Sequence, residues 1–354
     1  MEMIRHLEIE NYKSIKHLTL NCNRVNVIIG EPNVGKSNIL EALDLSYLSW
    51  MLHQSSSNIN AGKEAIDIKK YFRVNKVRDL FRLGDTTQSI KISHPGFSNG
   101  TQLRYIQEND LINRGEVKNY FEVSAGERSF TQIDNDFIPN KLTDFFGSPI
   151  DPYRYKENLE FHDIGNYMDT LMPPFGNNLI EVIDSHKDFL SLIVDLVEPF
   201  GLEVILDVSN HKLLFQKKIS VGAAYLIDYN SLADTLRRVI FYTAAIRYTG
   251  GYVVTLEEPD AHSFPKFVSF LADEIIENNN KQFFVATHSP YLLNNLIENT
   301  PKNELAVFVC GFDKENGTTA RKLSDQDLSE LLDYGVDIFF NINKYSDDRV
   351  EHNS

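Results

Sequence analysis

Apolar and polar positions alternate at the start of the chain. Ile4, Leu7 and Ile9 have polar neighbours, and the later Val25-Asn26-Val27-Ile28-Ile29 run is almost wholly apolar. Alternation predicts half-buried strands, and a continuous run predicts a strand covered on both faces. Two or three strands are therefore expected in residues 3–29, the last central to a sheet. A glycine-containing loop follows, then Asn38-Ile39-Leu40-Glu41-Ala42-Leu43 with helical spacing. The order is strand, loop, helix.

Residues 53–66, HQSSSNINAGKEAI, are polar and turn-rich, which predicts an exposed insertion. Residues 86–132 alternate in stretches such as Ser89–Ile92 and Leu103–Ile106, separated by Pro, Gly and Asn turns, and predict an antiparallel meander. Pro149–Pro174 is mixed and Tyr-rich and predicts little. Leu179–Val197 reads as helical, with Ile180, Ile183, Phe189, Ile193 and Leu196 on one face, and Leu232–Ile246 reads as another helix. Tyr252–Leu256 and Gln282–Ala286 are continuous apolar strands, with helical segments near Phe267–Ile276 and Tyr291–Ile297. That rhythm belongs to parallel strands joined by crossover helices. Ala306–Val309 adds one more strand. No internal repeat, heptad run or long linker is present.

The chain has 354 residues, a formal net charge of −15, 42% hydrophobic residues and two cysteines. Such a length implies two lobes or one large α/β domain, and the ordinary composition excludes a disordered or collagenous chain. Cys22 and Cys310 form neither a disulfide scaffold nor a grouped zinc site. MEMIRHLEIE lacks the apolar core of a signal peptide, and no run of about 18 apolar residues occurs. The expectation is a cytoplasmic protein with no membrane partner. The negative charge opposes polyanion binding by the chain as a whole. One local patch stands against this: Lys69, Lys70, Arg73, Lys76, Arg78 and Arg82 interleave with Tyr71, Phe72 and Phe81. Such a pattern can grip a nucleic-acid backbone, but a solvated amphipathic helix is the favoured reading. Ser324–Glu330 reads as a capped helix start.

Gly30-Glu31-Pro32-Asn33-Val34-Gly35-Lys36-Ser37 matches the P-loop pattern G-x-x-x-x-G-K-[ST]. Its glycines let backbone N–H groups curl around a β-phosphate, Lys36 would reach the β/γ-phosphates, and Ser37 would bind Mg²⁺. The following helix aims its positive end at the anion. Average composition yields such a match by accident in about one chain of this length in a hundred, and here the flanking strand and helix are also right. A second site, Val253–His262 (VVTLEEPDAH), ends an apolar strand in two carboxylates. Glu257 would hold Mg²⁺ through water, and Glu258 would polarise the attacking water. A third, Phe284–Pro290, ends another strand in Thr287-His288-Ser289, where His288 would hydrogen-bond a γ-phosphate.

These elements, in this order, resemble the ABC-type ATPase heads of the OLD/RecF/SMC group over most of the chain. Ile9–Ile15 (IENYKSI) is similar to that group's first-strand motif, which implies that Lys13 approaches the nucleotide. GEPNVGKSNILEAL is similar to its Walker A segment and implies nucleotide contacts from Gly30, Asn33, Val34, Gly35, Lys36, Ser37 and Asn38. LEEPDAHSFP resembles a Walker B strand with its D-loop, and THSP a switch-histidine loop, which implies catalytic roles for Glu258, His288 and Lys36. The counterpart of the Leu-Ser-Gly-Gly signature is Leu232–Arg238 (LADTLRR), where Ala233 replaces the serine and Thr235 a glycine; Ala233 and Asp234 would face the nucleotide of a second head. Gln88 and Gln107 are both candidates for the Q-loop.

The resemblance implies one α/β head over 1–354, with a mixed or parallel core sheet, flanking helices, an antiparallel β lobe and a helical lobe. It would have no coiled-coil insertion and no TOPRIM domain. Its parts would be 1–150 (P-loop and β lobe), 151–245 (helical and signature lobe) and 246–354 (Walker B, D-loop and switch histidine). The resemblance further implies an ATP–Mg²⁺-sandwiched homodimer or higher homo-oligomer, slow hydrolysis, and control of a separate nuclease or toxin in anti-phage defence. The alternatives are a RecF-like ATPase that binds DNA directly and an ATP-dependent scaffold with negligible turnover.

Overall fold

The structure, a computed structural model, describes residues 3–60, 66–94, 100–110, 116–125, 128–142, 149–161, 169–334 and 337–346. Its strands are β1 (His6–Tyr12), β2 (Ile15–Asn21), β3 (Val25–Gly30), β4 (Ile90–Ser93), β5 (Thr101–Asp110), β6 (Glu116–Ala125), β7 (Arg128–Ile133), β8 (Pro139–Leu142) and β9 (Ile150–Tyr153). Then come β10 (Glu203–Asp207), β11 (Lys212–Ser220), β12 (Ala223–Asp228), β13 (Val253–Glu257), β14 (Gln282–Ala286), β15 (Leu305–Asp313) and β16 (Gly317–Lys322). Helices α1 (Lys36–Asp44), α2 (Leu48–Asn60) and the short α3 (Ile68–Tyr71) precede β4. Helices α4 (Leu179–Ser185) and α5 (Lys187–Val197) precede β10, and α6 (Asp234–Arg247), α7 (Pro265–Glu277) and α8 (Pro290–Asn299) alternate with β13 and β14. Helices α9 (Asp325–Tyr334) and α10 (Ile342–Tyr345) follow β16. The fold is mixed α/β, with a large mixed sheet and flanking helices.

Two compact units make up the chain: Met1–Ile150 with Pro301–Ser354, and Asp151–Thr300. In the first, the strands run β8-β7-β6-β5-β4-β1-β2-β16-β15-β3. All neighbours pair antiparallel except β15 and β3, which run parallel from Leu305↔Val25 to Cys310↔Gly30. All six β3 residues are buried, as a run without alternation requires. In the second unit β13 and β14 pair parallel from Val253↔Gln282 to Glu257↔Ala286, and every residue of β14 is buried. The same unit holds a separate antiparallel sheet, β10-β11-β12.

Some expectations need correction. The polar stretch 53–66 is not a loop insertion at its start: residues 53–60 complete α2, and 61–65 lie outside the described residues. Leu179–Val197 is two helices rather than one. His186, with extended backbone (φ −117°, ψ 92°), separates them, because its ring stacks on Tyr248 at 4.0 Å and its Nε2 hydrogen-bonds the Asp169 carbonyl at 2.7 Å. Residues 203–228, to which the pattern assigned nothing, form β10–β12. The meander and the late strands appear where expected. Ser324 caps α9, its Oγ accepting from the Asp327 amide at 3.1 Å while Asp327 Oδ2 accepts from the Ser324 amide at 2.9 Å.

Gly317 opens β16 in the left-handed region (φ +81°), where a Cβ would come within 1.8 Å of the Ser14 carbonyl oxygen. Gly317→Ala is expected to cost about 2–4 kcal/mol of stability, from backbone strain plus a clash with main chain. Gly250→Ala, whose Cβ would meet nothing closer than 3.8 Å, should cost little; thermal unfolding of the two variants makes the comparison.

Candidate functional site

The loop after β3 bends back on itself through two left-handed residues, Asn33 (φ 66°) and Gly35 (φ 99°). A Cβ on Gly35 would lie 2.1 Å from Thr318 Oγ1 and 2.7 Å from Ser14 Oγ, so only glycine fits. Gly35 is also the N-cap of α1 and supplies no side-chain cap. The first amides of α1 therefore face the loop, an arrangement that attracts phosphate. Lys36 is buried, and its Nζ donates to the carbonyls of Gly30 (3.0 Å) and Glu31 (2.7 Å), which holds the ammonium on the loop. Val34 is buried and Ser37 half-buried; Asn38 Nδ2 donates to Ser14 Oγ at 2.6 Å, and Ser14 Oγ meets Thr318 Oγ1 at 2.6 Å. Cys310 lies on the neighbouring strand, and burial pushes its thiol up to about 12, so it stays protonated. The loop's donors and lysine fit a nucleotide's phosphates, and the Ser37 hydroxyl beside them is a hard oxygen donor of the kind Mg²⁺ takes.

Lys13 has a left-handed backbone (φ 46°), and its ammonium is bonded to Glu41 and to the Phe72 carbonyl. Glu41, fully buried on α1, also meets Arg73 Nη1 at 3.3 Å and the Tyr12 hydroxyl at 3.4 Å. The structure thus brings Lys13 to the body of α1.

In the second unit β13 ends at Glu257, whose Oε2 lies 3.4 Å from Arg154 Nε and whose carbonyl accepts from the Tyr242 hydroxyl at 2.8 Å. Glu258 turns into the left-handed region (φ 47°), with its amide held by the Ala286 carbonyl at 2.9 Å. This turn leaves its carboxylate half exposed and 3.7 Å from His288 Nε2. Glu258 and His288 therefore come together at the ends of two adjacent parallel strands. Behind them Asp260 is buried and accepts from Thr287 Oγ1 at 2.7 Å; burial, more than the nearby Glu258, raises its carboxyl from 3.8 to about 6.

The segment Leu232–Arg238 starts α6, with exposed Ala233 at the N-cap. Asp234 is the hub. Its Oδ1 accepts from the Tyr155 hydroxyl (2.7 Å) and Arg237 Nη2 (3.2 Å), and its Oδ2 from Arg238 Nε (2.8 Å), with His262 Nδ1 at 3.3 Å. Burial works against its charge, but the bonds from Arg238 and Tyr155 outweigh that and hold the carboxyl below its usual range. Thr235 Oγ1 donates to the His262 carbonyl at 2.8 Å, and Arg238 stacks 4.3 Å above the Tyr155 ring. Arg154, Tyr155 and Thr318 were not singled out in sequence; they lie in a mixed stretch and a strand with no motif to mark them.

Several cations of the basic patch are paired within the chain, at its surface. Lys69 and Lys76 both bind Asp136 at 2.7 Å, and Arg73 meets Glu41. Arg82 donates to the carbonyls of Ser14, Glu315 and Asn316. Tyr71, Phe72 and Phe81 are buried, so they are core rather than stacking platforms. The segment is α3 followed by 3₁₀ turns, not one amphipathic helix. Gln88 and Gln107 are both exposed.

Residues 3–147 match the AAA ATPase domain family. No match is found among curated proteins. Among solved structures the chain is similar to an Smc head bound to the C-winged helix domain of ScpA, at 14% identity and TM-score 0.49, over 92% of this chain and 99% of that one. It is also similar to the SMC head domain from Thermotoga maritima (14% identity, TM-score 0.40, 91% and 100% coverage). A third is the Pyrococcus furiosus Smc head domain with an extended coiled coil, bound to the C-terminal domain of ScpA (13%, 0.46, 94% and 99%). The match to an ATPase domain over residues 3–147 makes the chain an ATP-binding ATPase. Among the described residues no helix is long and apolar enough to cross a membrane.

Asp260 makes a pH test of the site's second half. Between about pH 4 and pH 6 the unfolded chain has lost this proton and the folded chain keeps it, so the group's contribution to stability falls as pH rises through that window and is flat above it. Asp260→Asn keeps an acceptor for Thr287 and removes the fall. Relative to the parent it should gain on the order of 3 kcal/mol from pH 4 to pH 6.5, read from unfolding curves across that range.

Proposed function

We propose that the chain is an ABC-type switch ATPase of the OLD-like kind, which binds ATP–Mg²⁺, closes as a homodimer or higher homo-oligomer, hydrolyses slowly and controls a separate effector. The observation that carries the reading is the turn after β3, with Lys36 held on the loop and no room for a side chain at Gly35. In this reading Gly30, Asn33, Val34, Gly35 and Asn38 shape the phosphate cradle, and Lys36 neutralises the β/γ-phosphates. Lys13 anchors α1, the helix that carries the cradle, through Glu41. Ser37 and Glu257 hold Mg²⁺, which when bound withdraws charge from the phosphate oxygens. Glu258 orients the attacking water, and His288, its neighbour, senses the γ-phosphate. Ala233 and Asp234 face the nucleotide of the partner head. The effector is a nuclease or toxin, the setting is anti-phage defence, and the compartment is the cytoplasm.

A scaffold with negligible turnover is the second reading, favoured by Ala233, which supplies no hydroxyl at the N-cap of α6. Direct DNA binding is disfavoured, because lysines 69 and 76 and Arg82 are engaged within the fold.

Lys36→Ala should abolish ATP binding in equilibrium titration; retained tight binding would remove the P-loop assignment. Glu258→Gln should bind ATP, accumulate as a closed oligomer and lose turnover by about 100-fold or more. Turnover at the parent rate would leave Glu258 without a catalytic role, and a parent with no turnover at all would favour the scaffold. Affinity capture of the Glu258→Gln chain with ATP from its host should recover one dedicated nuclease or toxin; recovery of DNA alone would favour the RecF-like alternative.

A further inference from the structure

The sheet β10-β11-β12 ends in an arm. Glu203, the first residue of β10, pairs with Gln216 of β11, so beyond Gln216 only β11 and β12 remain paired. Leu213 and Phe215, at the base, are fully buried, whereas every residue from Lys217 to Leu226 is exposed. Most of these are apolar: Ile219 is 69% exposed, Val221 wholly so, Tyr225 62% and Leu226 54%. A two-stranded ribbon is marginal in water without a surface to cover it. Strand β12 is also the sheet's outer edge among the described residues, and natural edges of this kind are guarded by Lys, Pro or a bulge. From Ala223 to Ile227 β12 contains no charge and no proline, and the one register irregularity sits at the turn, between Lys218 and Ser220.

We propose that this edge pairs antiparallel with the same edge of a second copy of the chain, making a six-stranded sheet without nucleotide. The strand is self-complementary about Tyr225. A two-fold axis there sets Tyr225 against the same tyrosine of the second copy, Ala224 against Leu226, and Ala223 against Ile227. Each small side chain meets a large one, residues of one face meet residues of the same face, and no like charges are opposed. The pairing is isologous and closes on itself. Lysines 217 and 218 on β11 carry the arm's only charges, opposite in sign to the −15 of the whole chain, so two copies meet through their least repulsive segment. This interface is independent of the proposed ATP-dependent closure, and both together would link heads into assemblies larger than dimers.

The test is the mass of the nucleotide-free chain by sedimentation or light scattering. The parent should be dimeric, and Leu226→Lys and Ala224→Lys, both at exposed positions, monomeric and still folded by circular dichroism. Tyr225→Cys should form a disulfide-linked dimer under mild oxidation, since the native Cys22 and Cys310 are buried. A monomeric parent, edge variants that stay dimeric, or no cross-link at residue 225 would each overturn the proposal. Flotation of a monomeric parent with anionic lipid vesicles, lost in Leu226→Lys, would assign the arm to a membrane surface instead. Every readout omits ATP, so failure of the ATPase mechanism leaves the result intact.

Discussion

The turn between β3 and α1 has no room for a side chain at Gly35, and the first unit is organised around that fact. The obstacles are Thr318 Oγ1 and Ser14 Oγ, one from β16 and one from the β1–β2 turn. Strand β16 reaches that place because β15 pairs parallel with β3 and then folds back. The segment after Pro301 is thereby part of the P-loop's wall, although some 280 residues separate it from the loop in sequence. Ser14 passes the constraint on through Asn38 to α1, and Glu41 passes it on through Lys13 and Arg73 to the segment after α3. A helix fixed at its first turn and at its buried carboxylate presents its amides in one direction. Preorganisation of this kind lets backbone donors compete with water for a phosphate.

The second unit solves a similar problem with carboxylates. Strands β13 and β14 are buried apolar runs, and their register sets Glu257 opposite Ala286. The chain then leaves β13 through a left-handed residue, unusual for glutamate, which swings Glu258 out beside His288. The Thr287–Asp260 bond ties the two strand ends together beneath that pair. The raised Asp260 carboxyl reflects the cost of burying it there, a cost offset only in part by the threonine hydroxyl.

Local signals were legible in the sequence, and long-range ones were not. The strand–loop–helix around Lys36 could be read because an unbroken apolar run, two glycines and a helical repeat are adjacent. The acidic ends of β13 and the Thr287-His288 turn were legible for the same reason. Strands β10–β12 were missed because their outward residues Ile219, Tyr225 and Leu226 are apolar, so the inside-outside alternation that marks a strand is erased. The break at His186 depends on Tyr248, 62 residues away, and no local propensity foretells it. The basic patch misled in a similar manner: Asp136, which binds two of its lysines, lies about 60 residues downstream.

The departures at the start of α6 acquire a physical sense from their partners. Where a signature glycine would leave the backbone unencumbered, Thr235 donates to the His262 carbonyl, and Asp234 faces the His262 ring. The helix start and the turn after β13 are thus joined by side chains that a Leu-Ser-Gly-Gly sequence lacks. Asp234 also gathers Tyr155, Arg237 and Arg238, so its carboxylate is consumed in holding the segment together. An unopposed carboxylate at a helix N-terminus would repel phosphate; one neutralised by two arginines does so far less. Ala233 caps α6 without a hydroxyl, and Thr235 spends its own on the His262 carbonyl. Bonds of this kind couple the start of α6 to the turn that carries Glu258, so a substitution in either segment is felt by the other.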